Sequence, residues 1–189
     1  MKILFIGKTA DATAHFRCDI PAKYLAKAGY EVRFDYIDQL PNVPGSGIKE
    51  KDCEWADVIV FQRPITDSHY KIINIIKKVR PDKILVGEYD DDYSCVPTWN
   101  PGYAYIKAHE SHWRNILPLY DGVITSTEPL KNSLSKLTSA PMCVIQNALD
   151  FEVFDKLEPF KEFVLFAPKM EGKELKPIYT LGCEQFRIS

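Results

Sequence analysis

Five short apolar runs recur along this chain, and each gives way to polar turn residues. KILFI (2–6), DVIVF (57–61), KILVG (83–87), GVITS (122–126) and MCVIQ (142–146) are those runs. A strand buried on both faces reads as such a run, because neither face can carry polar side chains to water. EVRFDY (31–36) alternates and reads as one further strand.

Helix-patterned stretches fall between the runs. DIPAKYLAKAG (19–29) predicts a helix with Asp19 as N-cap, Pro21 in the first turn and Gly29 past the end. Its apolar face would be Ile20, Tyr24, Leu25 and Ala28. TDSHYKIINIIKKVR (66–80) predicts a helix capped by Thr66 and stopped by Pro81, burying Ile72, Ile73, Ile76 and Val79. Residues 102–117 and 127–137 predict two more, and 37–56 a turn-rich loop followed by a short helix near KEKDCEW. EFVLFAP (162–168) reads as a last strand, and the residues after it show no clear period. Strands alternating with helices imply an α/β, Rossmann-like doubly wound domain around a mostly parallel sheet, with right-handed crossovers.

Composition narrows the partners. A length of 189 residues suits one domain plus a short extension. The formal net charge of −2 supplies no basic field to recruit nucleic acid. Five scattered cysteines with no C-x-x-C pair point to reduced thiols, and no apolar run approaches a membrane span. The N-terminus shows no secretory pattern, so a cytoplasmic protein is expected.

In open α/β sheets ligands bind beyond the carboxyl ends of the strands. The candidate loops are therefore Gly7–Arg17, Gln62–Pro64, 88–101, Ser126–Glu128 and Asn147–Asp150. The loop EYDDDYSCVPTWNP (88–101) raises a metal site at Asp90, Asp91 and Asp92, since hard cations take carboxylate oxygens. Against it, adjacent side chains of an extended segment point to opposite faces, so three consecutive aspartates do not converge on one ion. The expected alternative is an ordering role, with the run bonding loop amides and pairing with Arg63. Arg17 is a candidate for an anionic substrate group or for a pair with an aspartate. GKTADAT (7–13) lacks both glycine-rich nucleotide fingerprints. His109 and His112 sit at i, i+3 without a third ligand, which argues against zinc, and no serine or cysteine nucleophile motif is present.

The order VIVFQRP (58–64), KILVGEYDDDY (83–93), YDGVITSTEPLKNSLSK (120–136) and VIQNALD (144–150) resembles the N-terminal domain of GT-B glycosyltransferases of the glycogen-synthase-like superfamily. The match covers about residues 1–158. It departs from the family in Gln146 and Ala148, where that family has proline and glycine, and in a less glycine-rich first loop.

The resemblance implies an acceptor-binding half of an enzyme that moves a sugar from a nucleotide-sugar donor, with no cofactor and no required metal. It further implies that Arg17, Arg63, Asp90, Asp91, Asp92, Trp99, Ser126 and Thr127 bind the acceptor or order the cleft, with Pro97, Trp99 and Pro101 in one wall. Catalytic residues are not assigned. A carbohydrate or other glycosyl acceptor is the expected partner, together with a donor-binding subunit or C-terminal domain. Residues 159–189 are expected to be a short extension, too short for a second Rossmann domain, and either a remnant or the start of a truncated C-terminal domain. The alternatives are a non-enzymatic binding or assembly module, and a metal-dependent phosphate enzyme built on Asp90–Asp92.

Overall fold

The structure, a computed structural model, describes residues 1–39, 45, 47–148, 150 and 152, with the backbone of two further strands at 162–166 and 177–182. The chain divides into two units, Met1–Ala148 and Leu149–Ser189, earlier than the expected boundary at 158.

The first unit is an α/β, Rossmann-like doubly wound domain. Its strands are β1 (Lys2–Gly7), β2 (Glu31–Tyr36), β3 (Val58–Gln62), β4 (Ile84–Tyr89), β5 (Gly122–Thr125) and β6 (Met142–Val144). All pair in parallel, in the order β2-β1-β3-β4-β5-β6. The order reverses between β1 and β3, which opens a crevice at their carboxyl ends.

Alternation along the strands builds two cores. Ile3 and Phe5 of β1 and Val60 of β3 pack on one face with Cys18, Ala22 and Leu25. The intervening Leu4, Ile6, Ile59 and Phe61 pack on the other. That second face is covered by α3 (Glu50–Trp55), α4 (Asp67–Val79), α6 (Glu110–Ile116) and α7 (Glu128–Leu134), through Cys53, Ile73, Ile76, Trp113, Ile116, Leu130 and Leu134.

The first helix departs from expectation. It starts at Ala12, not at Asp19, because Asp11 caps it by accepting from the Ala14 amide. α1 (Ala12–Ala14) runs through a π-helical turn (His15–Asp19) into α2 (Ile20–Lys27). Pro21 thus lies inside a continuous helix, directly after the widened turn. A proline has no amide to donate and crowds the preceding turn, so the register shift there spares a broken bond. Tyr24 and Ala28 are exposed, since Ala22 and Leu25 carry the contact with the sheet.

α4 has the predicted cap at Thr66, which accepts from the His69 amide. Val79, expected in the core, is 61% exposed and borders an open apolar groove with Ile48, Ile72 and Ile75. The predicted helix 102–117 is two, α5 (Tyr103–Ala108) and α6, hinged at His109 and followed by a 3₁₀ turn at Leu117–Leu119. In the second unit β7 (Glu162–Phe166) pairs antiparallel with β8 (Pro177–Gly182). Among the described residues no helix is long and apolar enough to cross a membrane.

Gly87 is the tightest point of the sheet. A Cβ there would lie 2.4 Å from the Tyr120 ring, which fills the space above it. Gly87→Ala should therefore destabilise by about 3 kcal/mol, as overpacking of a dense core does. Denaturant midpoints will show this, and adding Tyr120→Leu should recover part of the loss by vacating the contested volume.

Candidate functional site

The π-helical turn sets the site. It places Arg17 over the first face, where the side chain is 5% exposed. Glu88 lies on the same face, because it alternates with Tyr89 and Gly87, and it is 2% exposed. Arg17 Nε donates to Glu88 Oε1 at 2.6 Å. Its Nη1 donates to the Ile145 carbonyl at 2.7 Å and to Asn147 Oδ1 at 3.0 Å. One guanidinium thus ties the first helix, β4 and the end of β6.

Glu88 Oε2 is buried without a hydrogen-bond partner among the described residues. Burial pushes the Glu88 carboxyl up to about 7, with Arg17 pulling the other way. Desolvation outweighs attraction for such a pair, as is common for ions taken fully out of water.

A second cluster sits on the 88–101 loop. Arg63 ends β3 with φ 53°, a left-handed conformation that a side chain disfavours. Its amide donates to the Glu88 carbonyl at 2.9 Å. Its guanidinium lies 3.3 Å from Asp90 and 2.9 Å from Asp91, and donates to the Tyr93 hydroxyl at 3.0 Å and to Thr13 Oγ1 at 3.2 Å. Asp92 turns away and accepts from the Ser94 amide at 2.8 Å and hydroxyl at 2.6 Å. The three aspartates therefore diverge, two toward Arg63 and one into its own turn. Among the described residues no group of three or more His, Cys, Asp or Glu is placed to hold a metal ion.

The remaining residues of interest join the same edge or leave it. Ser126 is buried, and its hydroxyl donates to the Asp90 carbonyl at 3.2 Å. Thr127 caps α7 by accepting from the Leu130 amide at 3.3 Å. Trp99 stands 82% exposed on the loop. Pro97 borders a cavity with α5, and Pro101 lies exposed beyond it.

Lys8 was not singled out from the sequence. Its amide donates to the side chain of the buried Gln62 at 3.0 Å, which locks β1 to β3 at the crevice. Its ammonium lies 5.2 Å from the Tyr105 ring centre, and burial together with Arg63 lowers its pKa. His69, also buried here, accepts from the Ile65 amide through Nδ1 at 3.0 Å and contacts Asp38 through Nε2 at 2.8 Å. With Nδ1 so engaged, Nε2 carries the proton and donates to Asp38, leaving no free lone pair for a base.

Glu88, Tyr93 and Thr13 were likewise missed as partners. Glu88 directly follows the run KILVG and is drawn into β4 by the structure, and a carboxylate buried there needs a counterion.

Two measurements check these contacts. The folded pKa of Glu88 lies above its unfolded value near 4.5, so its contribution is fully present below about 4.5 and is lost as pH rises through about 7. The wild-type chain should lose roughly 3 kcal/mol across that window from this group, and Glu88→Gln, which cannot titrate, should flatten the profile of unfolding free energy against pH. At Arg63, glycine relieves the backbone while alanine does not. Arg63→Gly should therefore be more stable than Arg63→Ala by about 1 kcal/mol in denaturant titrations, although both lose the ion pairs.

No model of a known protein family matches the chain, and no curated protein matches it. Among solved structures it is similar to a conserved protein from Enterococcus faecalis V583, at 9% identity and a TM-score of 0.34, over 82% of this chain and 96% of that one. Neither family nor function follows from a likeness of that size.

Proposed function

We propose that the chain is the acceptor-side domain of a nucleotide-sugar-dependent glycosyltransferase, competent in sugar transfer only with a donor-binding domain or partner subunit. The observation supporting this reading is that all four motifs of the sequence resemblance meet in one bonded network at one sheet edge. Arg63 of VIVFQRP pairs with Asp90 and Asp91 of the DDD loop, Ser126 of the TSTEPL motif bonds the Asp90 carbonyl, and Arg17 joins Glu88 to Asn147 of VIQNALD. The parallel sheet brings these strand-end loops to one edge, and the side-chain bonds then join them into a single network.

The chemistry fits a polyhydroxyl acceptor. Asp90, Asp91 and Arg63 present fixed charged acceptors and donors, and hydroxyl groups bond such partners more strongly than neutral ones. Substrate contact falls to this edge, and the donor nucleotide to the completing partner. The reading needs no metal and no resident cofactor. A cytoplasmic setting suits Cys18, Cys53, Cys95 and Cys143, all free thiols.

A binding or assembly module is the second reading, favoured by Ile84 and Ile145. Both are 50% exposed at positions that alternate with the buried Leu85 and with Val144.

Calorimetry with UDP-glucose and GDP-mannose separates these ideas from a self-sufficient enzyme. The 189-residue chain should bind neither at micromolar affinity, and sugar transfer should appear only when a donor-binding partner is added. Tight nucleotide-sugar binding by this chain alone overturns the acceptor-side reading. A stable complex that transfers no sugar to any acceptor favours the module.

A further inference from the structure

We infer that the cavity between the 94–98 segment and α5 is a subsite for a single uncharged sugar ring of the acceptor, an assignment that rests on the function proposed above. The cavity holds about 290 Å³, at the small end of ligand sites. That space accommodates one hexose ring and excludes a nucleotide-sugar. Tyr93, Thr98, Tyr103, Ile106, Lys107 and Glu110 are among its lining residues.

The lining selects the chemistry. Tyr93, Tyr103 and Ile106 supply apolar and aromatic surface suited to the C–H face of a sugar ring. Thr98 and Tyr103 bring hydroxyls that have no hydrogen-bond partner among the described residues. Lys107 and Glu110 are ion-paired with each other, and Arg114 also holds Glu110 at 2.8 Å. The lining charges of Lys107 and Glu110 thus cancel, so the cavity offers charged hydrogen-bond partners without a net charge to attract an anion.

The site is connected to the edge described above. Tyr93 lines the cavity with its ring while its hydroxyl accepts from Arg63. The aspartate-rich loop is therefore a shared wall: Asp90 and Asp91 face Arg63 on one part of it, and Ser94 to Thr98 line the cavity on the next. A ring seated here would leave a neighbouring ring of the same acceptor to reach the Arg63 cluster.

The test uses the 189-residue chain with four probes: the methyl α-pyranosides of glucose, galactose and mannose, and glucose 6-phosphate. Saturation-transfer NMR reads binding and amide shifts locate it. At least one neutral glycoside should bind at millimolar concentration and move amides within 94–110. Tyr103→Ala and Thr98→Ala should each weaken it by about fivefold, the loss of one hydrogen bond or ring contact. Ile75→Ala, in the separate groove of α4, should leave it unchanged.

Glycoside binding that maps elsewhere and ignores Tyr103→Ala overturns the subsite while leaving the acceptor reading standing. Tighter binding of glucose 6-phosphate than of the glucoside overturns the assignment of an uncharged ligand. Absence of binding by all four probes overturns the subsite, and the calorimetry described above then decides the fate of the broader reading separately.

Discussion

The ion pair between Arg17 and Glu88 is the constraint on which the candidate site depends. Both side chains are buried, at 2.6 Å, in a protein whose remaining first-face core is small. Two ions removed from water are expensive, and attraction to Arg17 offsets only part of that cost for Glu88, whose carboxyl is pushed up to about 7. Arg17 reaches Glu88 because the π turn rotates the helix at that point, and its second nitrogen fastens the exit of β6. The loss of Glu88 would leave the Arg17 guanidinium uncompensated in the interior, a defect of about 3–5 kcal/mol, whereas without Arg17 the Glu88 carboxyl would neutralise by taking up a proton. The sheet edge is thus organised from beneath, before any loop contact is made.

Above that pair the 88–101 loop is held by a strained residue. Arg63 keeps a left-handed backbone while its amide bonds the carbonyl of Glu88 and its guanidinium spans Asp90, Asp91, Tyr93 and Thr13. Strain of this kind persists only where surrounding contacts over-determine the conformation, and such places are often functional. The strained arginine and the buried pair meet at Glu88, through its main chain in one case and its side chain in the other.

The sheet was readable in the sequence because parallel strands covered on both faces are apolar at nearly every position, polar residues such as Gln62 and Glu88 falling at their carboxyl ends. That rule located β1, β3, β4, β5 and β6 within a residue or two. The cap at Thr66 was readable for a similarly local reason, a hydroxyl three residues before an amide it can accept from, and the same rule explains the cap at Thr127, which was expected at the cleft instead. The start of the first helix was misread. Asp11 and Asp19 both look like caps, and the choice depended on whether Pro21 could sit inside a helix, which a π turn permits. PIYTLG (177–182) pairs with the neighbouring strand 162–166, but it is short and holds only a few β-forming residues, so it did not stand out.

What the sequence by itself determined was the class of the fold, the places of the six strands in its parallel sheet and the divergence of three consecutive aspartates. These follow from periodicity and from the geometry of an extended chain, which are local properties. Tertiary structure alone decided which charges meet. Arg17 and Glu88 lie 71 residues apart, and Arg17 and Asn147 lie 130 apart. Their contact depends on strand order, on which face each residue takes and on one widened helical turn, and no local pattern encodes those three together.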